Sequence, residues 1–137
     1  MSSREIRFAV DRMLGRLAKM LRLLGYDTLY ANDMTTAQLL AMGQSGERVV
    51  LTRGERARRF PDLEKVLSLK SENPQEQLRE VVERLGLDTR AGLWTRCTLC
   101  NALIQRVEKT AVEALVEAKI FRLYEEFYRC TGCRHIY

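Results

Sequence analysis

The sequence predicts an α/β domain with a parallel sheet flanked by helices, followed by a small four-cysteine lobe. Short apolar runs alternate with segments of helical periodicity through the first 90 residues, which is typical of parallel strands joined by helices. Two Cys-x-x-Cys pairs then fall in the last third of the 137-residue chain. We therefore expect one domain over residues 1–90 and a smaller lobe over residues 91–137, joined by a linker at 88–92.

The first two strands and the helix between them are predicted from apolar spacing. Residues 7–10 and 26–30 form the strands, and an apolar stripe at helical spacing predicts a helix over residues 12–24. Gly25 follows that helix at the place where a left-handed C-terminal cap is needed.

A short helix and the clearest strand follow. The helix has Thr35 or Thr36 as its N-cap and runs through Met42, while residues 48–52 form an apolar strand bounded by polar residues. A short basic helix is predicted over residues 55–59.

The predicted domain closes with a fourth strand and a further helix. Residues 66–69 form the strand, and Pro74 suits the first turn of a helix that runs to residue 85. Gly86 then ends this helix, and residues 88–92 form the linker.

The two cysteine pairs predict a structural zinc site. Each Cys-x-x-Cys turn places two sulfurs on one side of an ion, and two turns close a tetrahedron of thiolates with no open position. Such a site stabilises a lobe that is too small to build its own core. The predicted Zn²⁺ ligands are Cys97, Cys100, Cys130 and Cys133. His135 follows them closely and is interpreted as a bystander.

Two disulfides, or a redox-active pair, are the alternatives to zinc. The N-terminal residues lack the apolar run of a signal peptide, and no stretch approaches the roughly 18 apolar residues of a membrane span. We therefore expect a cytoplasmic protein without membrane contact, in which thiols stay reduced. The 29 residues between the pairs are expected to contain an inserted helix, and residues 110–123 have a suitable pattern.

The net charge of +5 is concentrated in the first half of the chain. Residues 1–60 contain 11 Lys and Arg against 6 Asp and Glu, whereas residues 61–137 contain 12 of each. A polyanion would be drawn to the N-terminal half, although the same charge also serves solubility.

Asp11 directly follows the first predicted strand, at the carboxyl edge where parallel sheets bind ligands. A carboxylate there could hold Mg²⁺ or Mn²⁺ against a phosphate if other carboxylates converge on it. The alternative is that Asp11 is the N-cap of the following helix, and the two roles are compatible.

Basic residues follow two strand ends on the same presumed edge. One group shares a helix face at i, i+4 and i+7 spacing, and the other follows the third strand. Both groups are candidate phosphate contacts, or else two solvated faces. The candidates are Arg12, Arg16, Lys19, Arg22, Arg53 and Arg56.

Several segments together resemble the Mut-seven C-terminal ribonuclease domain family. They are FAVDRMLGRLA at residues 8–18, LGYDT at 24–28, VLTR at 50–53, QLREVV at 77–82, RCTLCN at 96–101 and CTGC at 130–133. The resemblance runs through almost the whole chain in the order of the family. It implies a PIN-like nuclease fold with a zinc ribbon.

The same resemblance implies a set of acidic residues around Mg²⁺ or Mn²⁺, and only part of that set is present. Asp11 matches one position and Glu72 fills a further one, so these two are the candidate catalytic residues. The family has acids where this chain has Thr36 and Gly54. Neither a threonine nor a glycine replaces a carboxylate as a ligand for Mg²⁺.

Three functions follow from these observations. The first is an RNA-binding protein on a PIN-like ribonuclease scaffold with cleavage reduced or lost, acting alone or within a larger ribonucleoprotein such as the ribosome. The second is an active divalent-metal-dependent ribonuclease. The third is a protein-interaction module that works through the zinc lobe.

Overall fold

The computed structural model describes residues 5–32, 34–54 and 65–137, and these form an α/β sheet followed by a cysteine-bearing hairpin. The sheet has four parallel strands in the order β2-β1-β3-β4. They are β1 (Phe8–Asp11), β2 (Thr28–Ala31), β3 (Val49–Arg53) and β4 (Val66–Leu69). The predicted fold class is confirmed.

In the described residues, three helices flank the sheet: α1 (Gly15–Leu23), α2 (Thr36–Ser45) and α3 (Pro74–Leu85). The single helix predicted over residues 12–24 begins instead as a 3₁₀ turn, Arg12–Leu14. Leu14 leaves helical geometry, with φ −112° and ψ 37°, so the α-helix starts at the next residue. Gly25 has φ +95° and Gly86 has φ +62°, as the predicted left-handed ends of α1 and α3 require.

Helix α2 is longer than predicted because its end is set by a glycine beyond the predicted stop. Thr35 is the N-cap, and its side chain forms a capping box with Gln38. The helix continues past Met42 to Ser45, where Gly46 takes the left-handed conformation, with φ +74°.

The strands of the sheet present alternate side chains to two separate cores. Phe8, Val10 and Leu51 pack in the larger core, to which α1 and α3 contribute Leu17 and Val81. The intervening residues face the other way and pack in a smaller core with residues of α2: Ala9, Val50 and Leu39. Because both faces are covered, these strands have no polar face, as parallel strands between helices require.

The C-terminal part contains an antiparallel hairpin of β5 (Ile104–Val107) and β6 (Phe127–Cys130). The helix predicted over residues 110–123 is split into a 3₁₀ segment, Lys109–Leu115, and a short helix, α4 (Ala118–Leu123). Val116 separates the two with extended geometry, φ −124° and ψ 159°. The basic helix predicted over residues 55–59 lies outside the described residues.

None of the helices in the described ranges has the length and apolar character needed to cross a membrane.

Candidate metal centre and basic groove

The four cysteines meet at the base of the hairpin in one metal-binding cluster. Their Sγ atoms all lie within 4.8 Å of one another. The sulfur of Cys97 is 3.6 Å from that of Cys133, and the sulfur of Cys100 is 3.3 Å from that of Cys130. The predicted convergence of the two pairs is therefore correct. Cys97 and Cys130 are buried, while Cys100 and Cys133 reach the surface.

These distances fit a tetrahedral metal site and exclude disulfides. A disulfide requires about 2.05 Å between sulfurs, whereas four thiolates about 2.3 Å from one ion lie about 3.8 Å apart. Main-chain amides of Gly132 and Cys133 donate to the sulfur of Cys130, at 3.3 and 3.4 Å. Such hydrogen bonds orient and stabilise metal-bound thiolates.

The thiols of the cluster have pKa values that are shifted in opposite directions. Burial opposes ionisation of Cys97, but the Tyr137 hydroxyl and nearby amides outweigh it and hold the pKa of Cys97 below its ordinary value. The main-chain amide of Ala102 likewise lowers the pKa of Cys100. The amide of His135 favours a Cys133 thiolate, yet desolvation and the neighbouring sulfurs raise the pKa of Cys133 to about 11. A divalent cation removes this conflict by neutralising the crowded thiolates.

The first cysteine turn is docked on the sheet domain through Asn101. The Asn101 side chain accepts from the amide of Thr28 and donates to the carboxylate of Asp27, both at 2.8 Å. Asp27 also pairs with Arg48 at 2.9 Å. Burial would raise the pKa of Asp27, but the hydrogen bonds from Arg48 and Asn101 outweigh it and lower that pKa. Sequence reasoning missed this contact, although an Asn directly after Cys-x-x-Cys fits the left-handed conformation seen here, φ +76°.

Two further contacts hold the segment after the linker against α1. Gly92 lies so close to Gly25 that a Cβ on Gly25 would come within 2.2 Å of the Gly92 carbonyl oxygen. The amide of Trp94 donates to the carbonyl of Leu23 at 3.2 Å. The domain boundary at residue 90 stays a prediction, but the lobe that follows it makes specific contacts with the sheet domain.

Arg22 belongs to this same contact. Its guanidinium donates to the carbonyl of Thr28 at 3.0 Å and to the carbonyl of Thr98 at 3.1 Å. The residue is 8% exposed, and burial lowers the pKa of its guanidinium against the pull of the Cys100 and Cys97 thiolates. Arg22 thus joins the sheet domain to the first cysteine turn.

Asp11 lies at the carboxyl end of β1 and is fully buried. One carboxylate oxygen accepts from the amide of Arg12 at 2.8 Å, which is the predicted N-cap contact. The other accepts from the hydroxyl of Thr52 at 2.9 Å. Both oxygens are thus engaged by the protein.

Glu72 lies at the same edge but in a different environment. Its side chain is 85% exposed and pairs with Arg53 at 3.0 Å. In the part of the chain that the structure describes, the four cysteines are the one group of three or more potential ligands close enough to share an ion. Gly54 directly follows β3. Two further acidic residues of the first domain, Asp33 and Glu55, and the candidate phosphate contact Arg56 lie outside the described residues.

The exposed basic residues Arg12, Arg16 and Lys19 line two adjoining cavities along α1. The first, of about 430 Å³, contains Arg12 and extends to Glu72. The second, of about 370 Å³, contains Lys19 and extends to Leu99 in the first cysteine turn. Both share three lining residues: Gly15, Arg16 and Tyr30. We call this continuous depression the basic groove.

Tyr30 is a member of the basic groove that sequence reasoning missed. Its hydroxyl donates to the carbonyl of Arg12, so the ring lies across α1 between the two cavities. The sequence signal for Tyr30 was an aromatic residue near the end of β2, the strand that pairs with β1 and lies beside Asp11. Arg53 lies at the same edge of the sheet but is engaged by Glu72.

Comparison with known families gives one match over nearly the whole chain. A family model described as the Mut7-C RNAse domain matches residues 6–137. A search of curated proteins found no match.

Proposed function

The chain belongs to the Mut7-C RNase domain family, and from this premise we propose that it binds RNA on a ribonuclease scaffold whose cleavage activity is reduced or lost. The observation that carries the proposal is a contrast at one edge of the sheet. Three cations of the basic groove are exposed, namely Arg12, Arg16 and Lys19, while both oxygens of Asp11 are held by the protein. The partner is RNA, alone or within a ribonucleoprotein such as the ribosome.

The basic groove supplies the RNA contact. Arg12, Arg16 and Lys19 are exposed along one side of it, and their cations suit the phosphates of a nucleic-acid backbone. Such contacts position the strand without reading its sequence, and they weaken steeply with salt because counterions are released on binding. Arg22 is excluded from this set because its guanidinium is committed to main-chain carbonyls.

Cleavage is expected to be reduced because the acidic residues in the described ranges form no group of three or more close enough to share an ion. A two-metal reaction needs several carboxylates that converge on ions about 4 Å apart. The chain has Thr36 and Gly54 where the family resemblance implies acids. Glu72 is turned toward Arg53, whose cation competes with a metal for the same carboxylate.

The cysteine cluster is inferred to bind zinc in a structural role. Four thiolates close the coordination shell, and no position is left for water or substrate. The bound ion would fold the hairpin lobe, and Cys97, Cys100, Cys130 and Cys133 would hold it. Thr98 of the same cysteine turn lines the end of the basic groove and accepts a hydrogen bond from the sheet domain. Asn101 fixes the turn on the sheet domain through the amide of Thr28.

An active ribonuclease is the second candidate, and one observation favours it. Glu72 lines the same cavity as Arg12, next to the carboxyl end of β1. If Mg²⁺ or Mn²⁺ displaced Arg53 from Glu72, Asp11 and Glu72 would be the carboxylates available to hold it.

Charge reversal in the groove tests RNA binding. Arg16→Glu with Lys19→Glu is expected to weaken retention of single-stranded RNA at least tenfold, because two phosphate contacts become repulsive. Lys119→Glu with Arg122→Glu is the matched control, since these exposed residues of α4 change the net charge equally. Affinity is measured by fluorescence anisotropy of labelled RNA over a range of salt.

The neutral pair Arg16→Gln and Lys19→Gln sharpens the same experiment. Each lost phosphate contact on a single strand reduces the slope of log affinity against log salt by about 0.7, so the expected change is about 1.4. Equal effects of the groove and control variants, or an affinity that does not depend on salt, would contradict phosphate binding in the groove.

A further inference from the structure

A third cavity, of about 770 Å³, lies on the hairpin lobe and has aromatic walls. Its volume falls in the range of about 300–1,000 Å³ that is usual for small-molecule sites. The lining includes three rings, one cation and one carboxylate: Trp94, Tyr128, Tyr137, Arg106 and Glu126. We call it the aromatic pocket. The basic groove shares none of these residues.

Trp94 is placed in this pocket against its own conformational preference. Its φ of +64° lies in the left-handed region, which is a genuine outlier for a bulky side chain. Among the described residues, the other positive φ values belong to one asparagine, one arginine and four glycines: Asn101, Arg134, Gly25, Gly46, Gly54 and Gly86. The Trp94 side chain is also 67% exposed, so it gains little burial in return. Strained geometry around an exposed aromatic group indicates a binding role.

The chemistry of the pocket matches a nucleobase. Flat rings offer stacking surfaces for a base, and Arg106 and Glu126 offer a donor and an acceptor for its polar edge. These two side chains are 68% and 59% exposed, and their charged groups are 3.8 Å apart. The other oxygen of Glu126 accepts from the hydroxyl of Tyr128 at 3.1 Å, so the carboxylate keeps acceptor capacity for a base while it is held in the pocket.

The pocket is also connected to the basic groove through the chain. The Trp94 amide bonds to the carbonyl of Leu23, at the C-terminal end of the helix that carries Arg16 and Lys19. Thr98 and Leu99, a few residues further on, line the groove. The short segment 94–99 therefore contributes to the lining of both the pocket and the groove.

We propose that the aromatic pocket binds an unstacked base of single-stranded RNA by stacking it against Trp94. This proposal rests on the proposed function, because it assigns a second contact to the same RNA. Stacking on an aromatic side chain tolerates any base, so the pocket would favour single strands over duplexes without selecting a sequence.

Trp94 is the one tryptophan in the sequence, and its fluorescence reports on the pocket directly. We expect a short oligoadenylate to quench this fluorescence, while an abasic oligonucleotide of equal length and charge leaves it unchanged. Trp94→Gly should weaken oligoadenylate binding about tenfold, as one lost stacking contact implies. Since glycine suits the backbone at this position, the variant should stay folded. Tyr124→Ala removes an exposed ring outside the pocket and is the control.

The outcomes separate this proposal from the proposed function. If the RNA is retained through Arg16 and Lys19 while the Trp94 signal and the Trp94→Gly affinity do not change, the base pocket is wrong and the groove stands. If neither oligonucleotide is retained and the fluorescence is constant, both proposals fail.

Discussion

The cysteine cluster and the acidic edge of the sheet both contain residue types that can bind metals, but they differ in how closely the ligand atoms approach one another. The four sulfurs lie within 4.8 Å of one another, and main-chain amides already orient them. At the sheet edge Asp11 is buried and held by Arg12 and Thr52, while Glu72 is exposed and paired with Arg53. A metal site therefore requires both enough ligands in the sequence and their convergence, and in the described residues the cysteine cluster meets both conditions.

The largest effect is expected from breaking the cluster. Cys97→Ser should remove the ion and unfold the hairpin lobe, because apparent zinc affinities of about 10–16 kcal/mol serve as folding free energy in small zinc lobes. Zinc content and the dispersion of NMR amide signals measure this loss. We expect one zinc ion per chain in the unaltered protein.

His135→Ala is the matched control for this prediction. The imidazole packs on Tyr137, with ring centroids 4.7 Å apart, and four thiolates already complete the shell. The variant should therefore keep its zinc. Loss of zinc from His135→Ala, or a folded hairpin in Cys97→Ser without metal, would contradict the four-thiolate site.

A smaller effect is expected where the cluster meets the sheet. Asn101→Ala removes hydrogen bonds to Thr28 and Asp27 and leaves a Cβ residue at positive φ. At about 1 kcal/mol for each bond and about 1 kcal/mol for the backbone, the expected loss is about 3 kcal/mol. Asn101→Gly keeps the backbone relaxed and should lose only about 2 kcal/mol. Denaturant unfolding measures both, and equal losses would show that the side-chain bonds alone matter.

The smallest expected effect is a dependence of folding stability on pH, through Asp27 at the contact between the cysteine turn and the sheet domain. The folded pKa of Asp27 is below its ordinary value of about 3.9. Asp27 therefore contributes stability above its unfolded pKa, and this stability is lost as pH falls below about 4 through the folded pKa. Asp27→Asn should be less stable at neutral pH and should flatten the acid limb of thermal unfolding. A limb that keeps its slope in the variant would assign the acid sensitivity to other groups.

Local patterns predicted the elements that depend on local physics. The apolar runs predicted the strands to within about two residues, and the paired Cys-x-x-Cys turns predicted the cluster. The N-cap role of Asp11 was also correct, because capping involves the next residue only.

Contacts between distant segments could not be predicted from the same patterns. Arg22 is at the border of a basic helix face, which predicts an RNA contact, and no local pattern indicates the hydrogen bond that it donates to the carbonyl of Thr98, 76 residues later. The hydroxyl of Thr52 reaches Asp11 across β1 and β3, and this pairing depends on strand order. The apolar spacing within each segment does not specify the order in which the strands pair. The assignment of RNA contacts to Arg12, Arg16 and Lys19 stays a prediction.

The proposed function, RNA binding with cleavage reduced or lost, is tested most directly by measuring retention and cleavage of labelled RNA in the same samples. Single-stranded and structured RNA are incubated with Mg²⁺ or Mn²⁺ and with the protein or its Asp11→Asn variant. We expect salt-sensitive retention without cleavage, and equal retention by the variant. Metal-dependent cleavage that the variant loses would contradict the account, because it would mean that acids at the sheet edge assemble a working metal site.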